Sequence, residues 1–534
     1  MSWPWPFPLY AAAALIAYRA LRFFQVLKAY GYVAGARPPL DPHSLPGNAI
    51  PATWWHMGFM WPWTQRKTAH FNHTHDLTAI VPLLVGNGAY FAASAGVAKQ
   101  VWGNEVRTRL LRPKDFTTER VWGSSIASAN GEDWRRHRRI VAPTFTSDML
   151  ARLVDESAVV YKSMNEALLG TNESVVNNMH VLLLRFTFVM ICRCGFGMPV
   201  GWTQSAEHDE IAVFDRALSV ASTTLILRLI FPNWVWSLPI KRLRETNESW
   251  KTVMALVDAI AARRQAEYAA HKELGEDGIH DLLTKLVSAT DGTAKYALAP
   301  PEVVRVCPVN IAIFSLNGTQ TANMMSLLFA GNETTSSALL STIVLLGLHP
   351  DEQETAYQEI LREVPSPENM TLRDVVNLKY VLACMHEAHR LVPATINLPR
   401  DVPEDIVLRS SRPVEKDVLV QKGSRIMVDI MAVCHNPNDF PDPEAYKPAR
   451  WRDVPDHDVI MFGFGPRACV GRKFAQTEAV CFLAHFLRDW KVETMHRGGE
   501  MRQACFDRIM AGASMYGTAF GLGEVPVKIT ARTL

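Results

Sequence analysis

Apolar residues dominate from Met324 to Leu346, on both sides of one polar stretch. A run of that length without alternation predicts a helix buried on every side, not a half-buried strand. Inside it lies Ala330-Gly331-Asn332-Glu333-Thr334-Thr335-Ser336. Glycine in a helix interior costs about 1 kcal/mol against alanine, and a buried carboxylate costs more unless something binds it. A glycine, an acid and a threonine within one turn therefore mark this helix as carrying chemistry. Elsewhere, Leu77 to Val85, an Asn87-Gly88 turn and Ala89 to Ala93 predict a β-hairpin, and a second sheet segment is expected between Asp405 and Ile430 around Lys422-Gly423. Most of what remains has a helical pattern, so the expected fold class is mainly α with small β-sheets.

The first stretch, Trp3 to Tyr18, is apolar and uncharged and is followed by Arg19, Arg22 and Lys28. It reads as an N-terminal membrane anchor, tilted or partly interfacial and extending toward Phe24, because sixteen residues fall short of the roughly twenty that span a bilayer. Positive charge on its C-terminal side places the bulk of the chain in the cytosol. Arg37-Pro38-Pro39-Leu40-Asp41-Pro42 through Pro46-Gly47 cannot be helical and is expected to act as a stiff spacer. Trp54, Trp55, Phe59, Trp61 and Trp63 follow, suited equally to a core or a membrane interface. A second apolar patch, Leu225 to Ile230 with Phe231, Trp234, Val235 and Trp236, is punctuated by prolines. The expected organisation is an anchor and basic flank over 1–36, a proline-rich hinge and aromatic segment over 37–76, and one catalytic unit over 77–534.

The chain has 534 residues, 48% of them hydrophobic and 20% charged, with a net charge of +2. That balance makes no electrostatic case for nucleic acid and points to apolar molecules or proteins as partners. Its eight cysteines form neither a C-x-x-C pair nor a disulfide framework. His70, His73 and His75 sit in a polar loop without an acid or thiol near them and read as solvated.

Phe462-Gly463-Phe464-Gly465-Pro466-Arg467-Ala468-Cys469-Val470-Gly471 holds one thiol in a glycine-rich loop directly before a helix-like segment. Small residues permit close approach, and a helix N-terminus supplies amide donors and a favourable dipole for a thiolate. Position for position, Phe462, Gly465, Arg467, Cys469 and Gly471 resemble the haem-binding signature of the cytochrome P-450 family. The resemblance implies that family's mainly helical fold and haem b with Cys469 as its axial, metal-ligating residue.

The remaining motifs stand in the order this family has them. Gly331, Glu333 and Thr334 resemble its oxygen-activation motif, where the glycine leaves room for dioxygen and the acid and alcohol relay protons. Glu387 and Arg390, three apart on one helix, with Arg450 in Pro448-Ala449-Arg450-Trp451, resemble its buried structural triad; Trp451 stands where phenylalanine is usual. In Trp134-Arg135-Arg136-His137-Arg138-Arg139 the family's spacing assigns Trp134 and Arg138 to a haem propionate, with Arg400 and Arg467 as further propionate partners. Arg135, Arg136 and Arg139 would then face outward, toward an acidic reductase. The loop from Val121 to Asn130 and the stretch from Ala394 to Leu398 are expected to line an uncharged pocket.

The resemblance further implies a microsomal, fungal-type monooxygenase in the endoplasmic reticulum membrane. It would insert one atom of O2 into a small apolar substrate such as a terpenoid, with electrons from an NADPH-cytochrome P-450 reductase and cytochrome b5 as a further donor. The alternatives are a reductase-independent haem-thiolate isomerase or dehydratase, whose relatives often lose the acid and threonine, and a non-catalytic haem-binding carrier or sensor.

Val306 to Gln320 has no counterpart in that family and reads either as a retained in-frame intron or as an extra loop. Sequencing the mature message across the codons for Arg305 and Thr321 decides between them. Six N-x-S/T sequons occur, one of them Asn332-Glu333-Thr334, and a cytosolic domain leaves them unused.

Overall fold

The computed structural model describes residues 6–67, 74–103, 110–114, 119–168, 173–203, 210–274, 281–288 and 318–532. His70 and His73, and residues 306–317 of the segment 306–320, lie outside them. The chain forms two compact units and passes between them repeatedly. One holds residues 1–113, 395–445 and 460–468; the other holds 114–394, 446–459 and 469–534.

The first unit is built on a four-stranded sheet in the order Leu77–Ile80, Ala89–Ala92, Arg425–Asp429, Asn397–Asp401, with the central pair parallel. Leu77–Ile80 is shorter than its apolar run predicts. The amides of Val81, Leu83 and Leu84 are taken by the carbonyls of Ala36, Pro38 and Pro39. Proline has no N–H but keeps its carbonyl, so the proline stretch lies along the chain as an acceptor edge and is docked rather than free. Ile406–Ser410 and Lys416–Val420 make a separate hairpin. The expected sheet segment therefore exists, but Lys422-Gly423 joins strands of two different sheets.

The N-terminal helix runs Pro6–Ala29. Tyr10, Leu15, Ile16, Tyr18 and Leu21 on it are exposed, whereas Phe23, Val26 and Leu27 pack on the core of this unit. The stretch Pro6 to Leu21 rises roughly 24 Å at about 1.5 Å per residue, short of a hydrocarbon core of about 30 Å. Among the described residues no helix is long and apolar enough to cross a membrane. The tryptophans divide: Trp61 and Trp63 are buried, while Trp54 is 96% exposed.

The second unit is arranged around the helix Gly318–Leu348, longer than the expected Met324 to Leu346 because it begins at Gly318. Residues 321–329 and 335–346 of it are buried. Met179–Met190, Lys241–Leu274, Lys379–Leu391 and Arg472–Asp489 pack on it. A three-stranded antiparallel sheet, Glu173–Val176, Val527–Ala531, Trp490–Thr494, closes one side, and Thr494 Oγ1 donates to the Val344 carbonyl of the helix at 2.7 Å. The hairpin Ser514–Tyr516 and Ala519–Gly521 is pinned by Ser337 Oγ donating to the Phe520 carbonyl at 2.8 Å.

Candidate functional site

In the first unit the loop is shaped before it reaches its cysteine. Phe462 is buried at the end of a short turn from Ile460. Gly465 has φ +70°, and a Cβ there would stand 2.8 Å from the Trp102 carbonyl oxygen. Both the left-handed backbone and the close approach require glycine. Arg467 ends the following turn. Arg400, on Asn397–Asp401, is 2% exposed and donates from Nη1 to the Pro399 carbonyl.

The chain re-enters the second unit at Cys469. Its side chain has accessible surface, yet burial is the largest influence on its thiol and pushes the pKa up, against the Gly471 amide and the charges of Arg472 and Arg138, which pull it down. Accessible surface together with strong desolvation is the mark of a side chain lining an interior recess. The lowered thiol pKa anticipated from the glycines and helix N-terminus is therefore not produced by the protein alone. A coordinating cation deprotonates such a thiol outright. Gly471 caps the helix Arg472–Asp489, which explains why its amide is free to turn to the sulfur.

Trp134 and Arg138 lie on Gly131–Val141 and are half-buried. Arg138 is close enough to Cys469 and Arg472 for their charges to shift its pKa, although burial is the main cause of its lowering. Arg135 and Arg139 are exposed, and Arg136 is half-buried. Arg135 and Arg136 bond to Glu132 and Asp133 one turn back, which offsets the positive face expected there.

On Gly318–Leu348 the burial pattern breaks at one place. Ala330 is exposed and Gly331 and Thr334 are half-buried, in a helix otherwise enclosed on both sides. Thr334 Oγ1 donates to the Ala330 carbonyl at 2.6 Å. A Cβ on Gly331 would meet Ile191 at 3.4 Å, an ordinary van der Waals contact, so packing against the neighbouring Ile191–Gly195 turn does not by itself require glycine. Asn332 is buried, and its Oδ1 accepts from Thr187 at 2.7 Å, which closes that sequon to modification. Glu333 is 4% exposed and turns its carboxyl to Thr518, whose N–H donates at 2.5 Å and whose hydroxyl donates as well.

Glu387 and Arg390, both fully buried, pair through two hydrogen bonds of 2.9 Å. Arg450 Nε donates to Glu387 Oε1 at 2.9 Å, the Lys447 amide at 3.0 Å, and Trp451 Nε1 donates to Oε2 at 2.8 Å. The indole adds a donor that phenylalanine lacks. Burial pushes the Glu387 carboxyl up, but Arg390, Arg450 and the Lys447 amide outweigh it and hold it below the ordinary carboxylate range.

Ala330, Arg472, Thr518 and the Trp451 donor were not singled out from the sequence. Arg472 could have been, from its nearness to Cys469. Thr518 lies 185 residues from Glu333 and carries no local signal.

The family described as "Cytochrome P450" matches residues 86–309 and 315–513, so that only 310–314 of the segment 306–320 lack a counterpart, fewer than expected. Cytochrome P450 monooxygenase 124 of Postia placenta is 29% identical over 441 residues, covering 81% of this chain and 80% of that protein. Cyclooctat-9-en-7-ol 5-monooxygenase of Streptomyces melanosporofaciens is 25% identical, covering 72% of this chain and 78% of its own. Among solved structures, the cytochrome P450DA haem domain superposes with a TM-score of 0.68 at 19% identity, covering 94% of this chain and 99% of that one.

Proposed function

The chain belongs to the cytochrome P450 family, a haem-thiolate monooxygenase by that membership, and on this premise we propose that its substrate is a small, largely apolar metabolite such as a terpenoid. The electrons come from an NADPH-cytochrome P450 reductase, with cytochrome b5 as a further donor. The uncharged segment from Val121 to Asn130 supports the substrate class: Trp122 packs on Phe329 and Trp250, and the Ile126 amide donates to Asn323 of the buried helix. The Streptomyces relative is named for oxygenating cyclooctat-9-en-7-ol, which points the same way.

The observation that carries the reading is the accessible but enclosed Cys469 sulfur with the Gly471 amide and two guanidinium groups around it. These residues suit a haem: a soft anionic ligand, cations for its propionates, and an open patch at Ala330 on an otherwise buried helix. Haem b, when bound, supplies the iron that activates O2, and thiolate ligation favours O–O cleavage. Cys469 would supply the thiolate that ligates its iron, with Phe462 and Gly471 shaping the cysteine loop. Trp134, Arg138, Arg400 and Arg467 would be the partners of the propionates. Gly331 keeps the helix close and small, while Glu333 and Thr334 hold and pass protons. Glu387, Arg390 and Arg450 are structural.

With purified reductase, NADPH and 18O2, a panel of terpenoid alcohols is expected to yield products carrying one labelled oxygen. Conversion without NADPH and reductase would instead favour an isomerase or dehydratase.

The exposed apolar residues of Pro6–Ala29, with Arg19, Arg22 and Lys28, support an interfacial helix on the endoplasmic reticulum membrane with the remainder in the cytosol. Deleting residues 1–21, which leaves the docked end of the helix in place, is expected to move the protein from the microsomal fraction toward the supernatant. Unchanged sedimentation with membranes would remove the anchor from this segment.

A further inference from the structure

Gly517 and Thr518 form the turn between Ser514–Tyr516 and Ala519–Gly521. Thr518 gives Glu333 Oε2 two hydrogen bonds, from its N–H and its hydroxyl. Gly517, at φ +62°, lies against the same carboxyl, and a Cβ there would stand 2.5 Å from Oε1 and 2.9 Å from Oε2. Oε1 is buried, and the Ser222 hydroxyl and the Ala519 amide also lie near enough to the carboxyl to lower its pKa, each more weakly than Thr518 does. The turn is held in place from both flanks. Ser337, one turn along the same helix from Glu333, donates to the Phe520 carbonyl, and the Phe520 amide donates to Ala394.

We propose that Thr518 is a positioning residue for Glu333: by occupying Oε2 as an acceptor it leaves Oε1 as the oxygen that carries the acid's proton, in one fixed orientation. The inference rests on the reading of Glu333 as a proton donor. A protonated carboxyl has one O–H donor and one carbonyl acceptor. Two donors converging on Oε2 are matched only if that oxygen is the acceptor, so the proton belongs on Oε1. Burial raises the carboxyl's pKa, and the two Thr518 bonds, with the Ser222 hydroxyl and the Ala519 amide, work against it. Gly517 is needed because any side chain there would push the carboxyl out of this pose.

The test uses the haem-loaded full chain. Infrared difference spectra of the wild type against Glu333→Gln isolate the Glu333 carboxyl stretch. In Thr518→Val the band is expected at higher frequency and to persist to higher pH, because a donor to Oε2 is gone; Thr518→Ser restores it. Oxygen consumption driven by NADPH and reductase, which needs no known substrate, is expected to fall about tenfold in Thr518→Val and about a hundredfold in Glu333→Gln. Haem content in each variant confirms folding. An unmoved band in Thr518→Val overturns the proposal. Slow consumption in Glu333→Gln beside normal consumption in Thr518→Val overturns only the positioning role, whereas normal consumption in Glu333→Gln overturns the proton-donor reading beneath it.

Discussion

Replacing Cys469 with serine is expected to remove the red-shifted Soret band of the reduced, carbon monoxide-bound protein and, with it, the oxygenation activity. The reason lies in the recess around the sulfur. Its thiol is pushed up by burial, and the Gly471 amide and two guanidinium groups only partly offset this. Burial therefore favours the neutral thiol, and a cation bound directly to the sulfur favours the thiolate. A serine hydroxyl in the same place is a much weaker acid and a harder ligand, ill-matched to the metal chemistry a thiolate performs. The spectrum of the variant reads this without a substrate. A wild-type-like band in Cys469→Ser would mean that another group ligates the iron, and the assignment of this loop would fall with it.

Replacing Glu387 with alanine is expected to cost about 3–5 kcal/mol, a large share of the roughly 5–15 kcal/mol that stabilises a typical domain. Arg390 has no exposure. Without Glu387 it is left as a buried cation without its carboxylate, and the Arg450, Lys447 and Trp451 donors lose their common acceptor. Trp451→Phe, which removes one donor and leaves the ion pair intact, should cost only about 1.5 kcal/mol. Urea midpoints of the three proteins measure both. A loss below about 1 kcal/mol in Glu387→Ala would show that the cluster behaves as an exposed pair. The pH dependence has a definite sign. Because the folded-state pKa of Glu387 is lowered, its stabilisation is present above the ordinary glutamate pKa of about 4.3 and is lost as the pH falls through the folded value.

Trp451 and Glu333 mark the limit of what could be read along the chain. Trp451 looked like a mild departure from a pattern. In space its indole N–H is one of five donor contacts that satisfy a buried carboxylate, which lies 64 positions away along the chain. Glu333 was legible as an acid out of place in an apolar helix, because the cost of burying charge is local and shows in composition. Its partner was not, since the threonine that receives it sits in a hairpin far downstream and has no feature of its own.

What the sequence determined by itself are the properties fixed by near neighbours: the long buried helix, the glycines around Cys469, the thiol before a helix N-terminus and the acid beside a threonine. These depend on periodicity and on backbone conformations that only certain residues adopt. Only the tertiary structure decided the rest. It laid the proline stretch against Val81 to Leu84, docked the end of the N-terminal helix on a core and sorted the tryptophans into buried and exposed. It also raised the Cys469 thiol by burial and turned Glu333 toward Thr518. Desolvation and hydrogen-bond partners are set by whatever the fold brings near, and no local pattern encodes them.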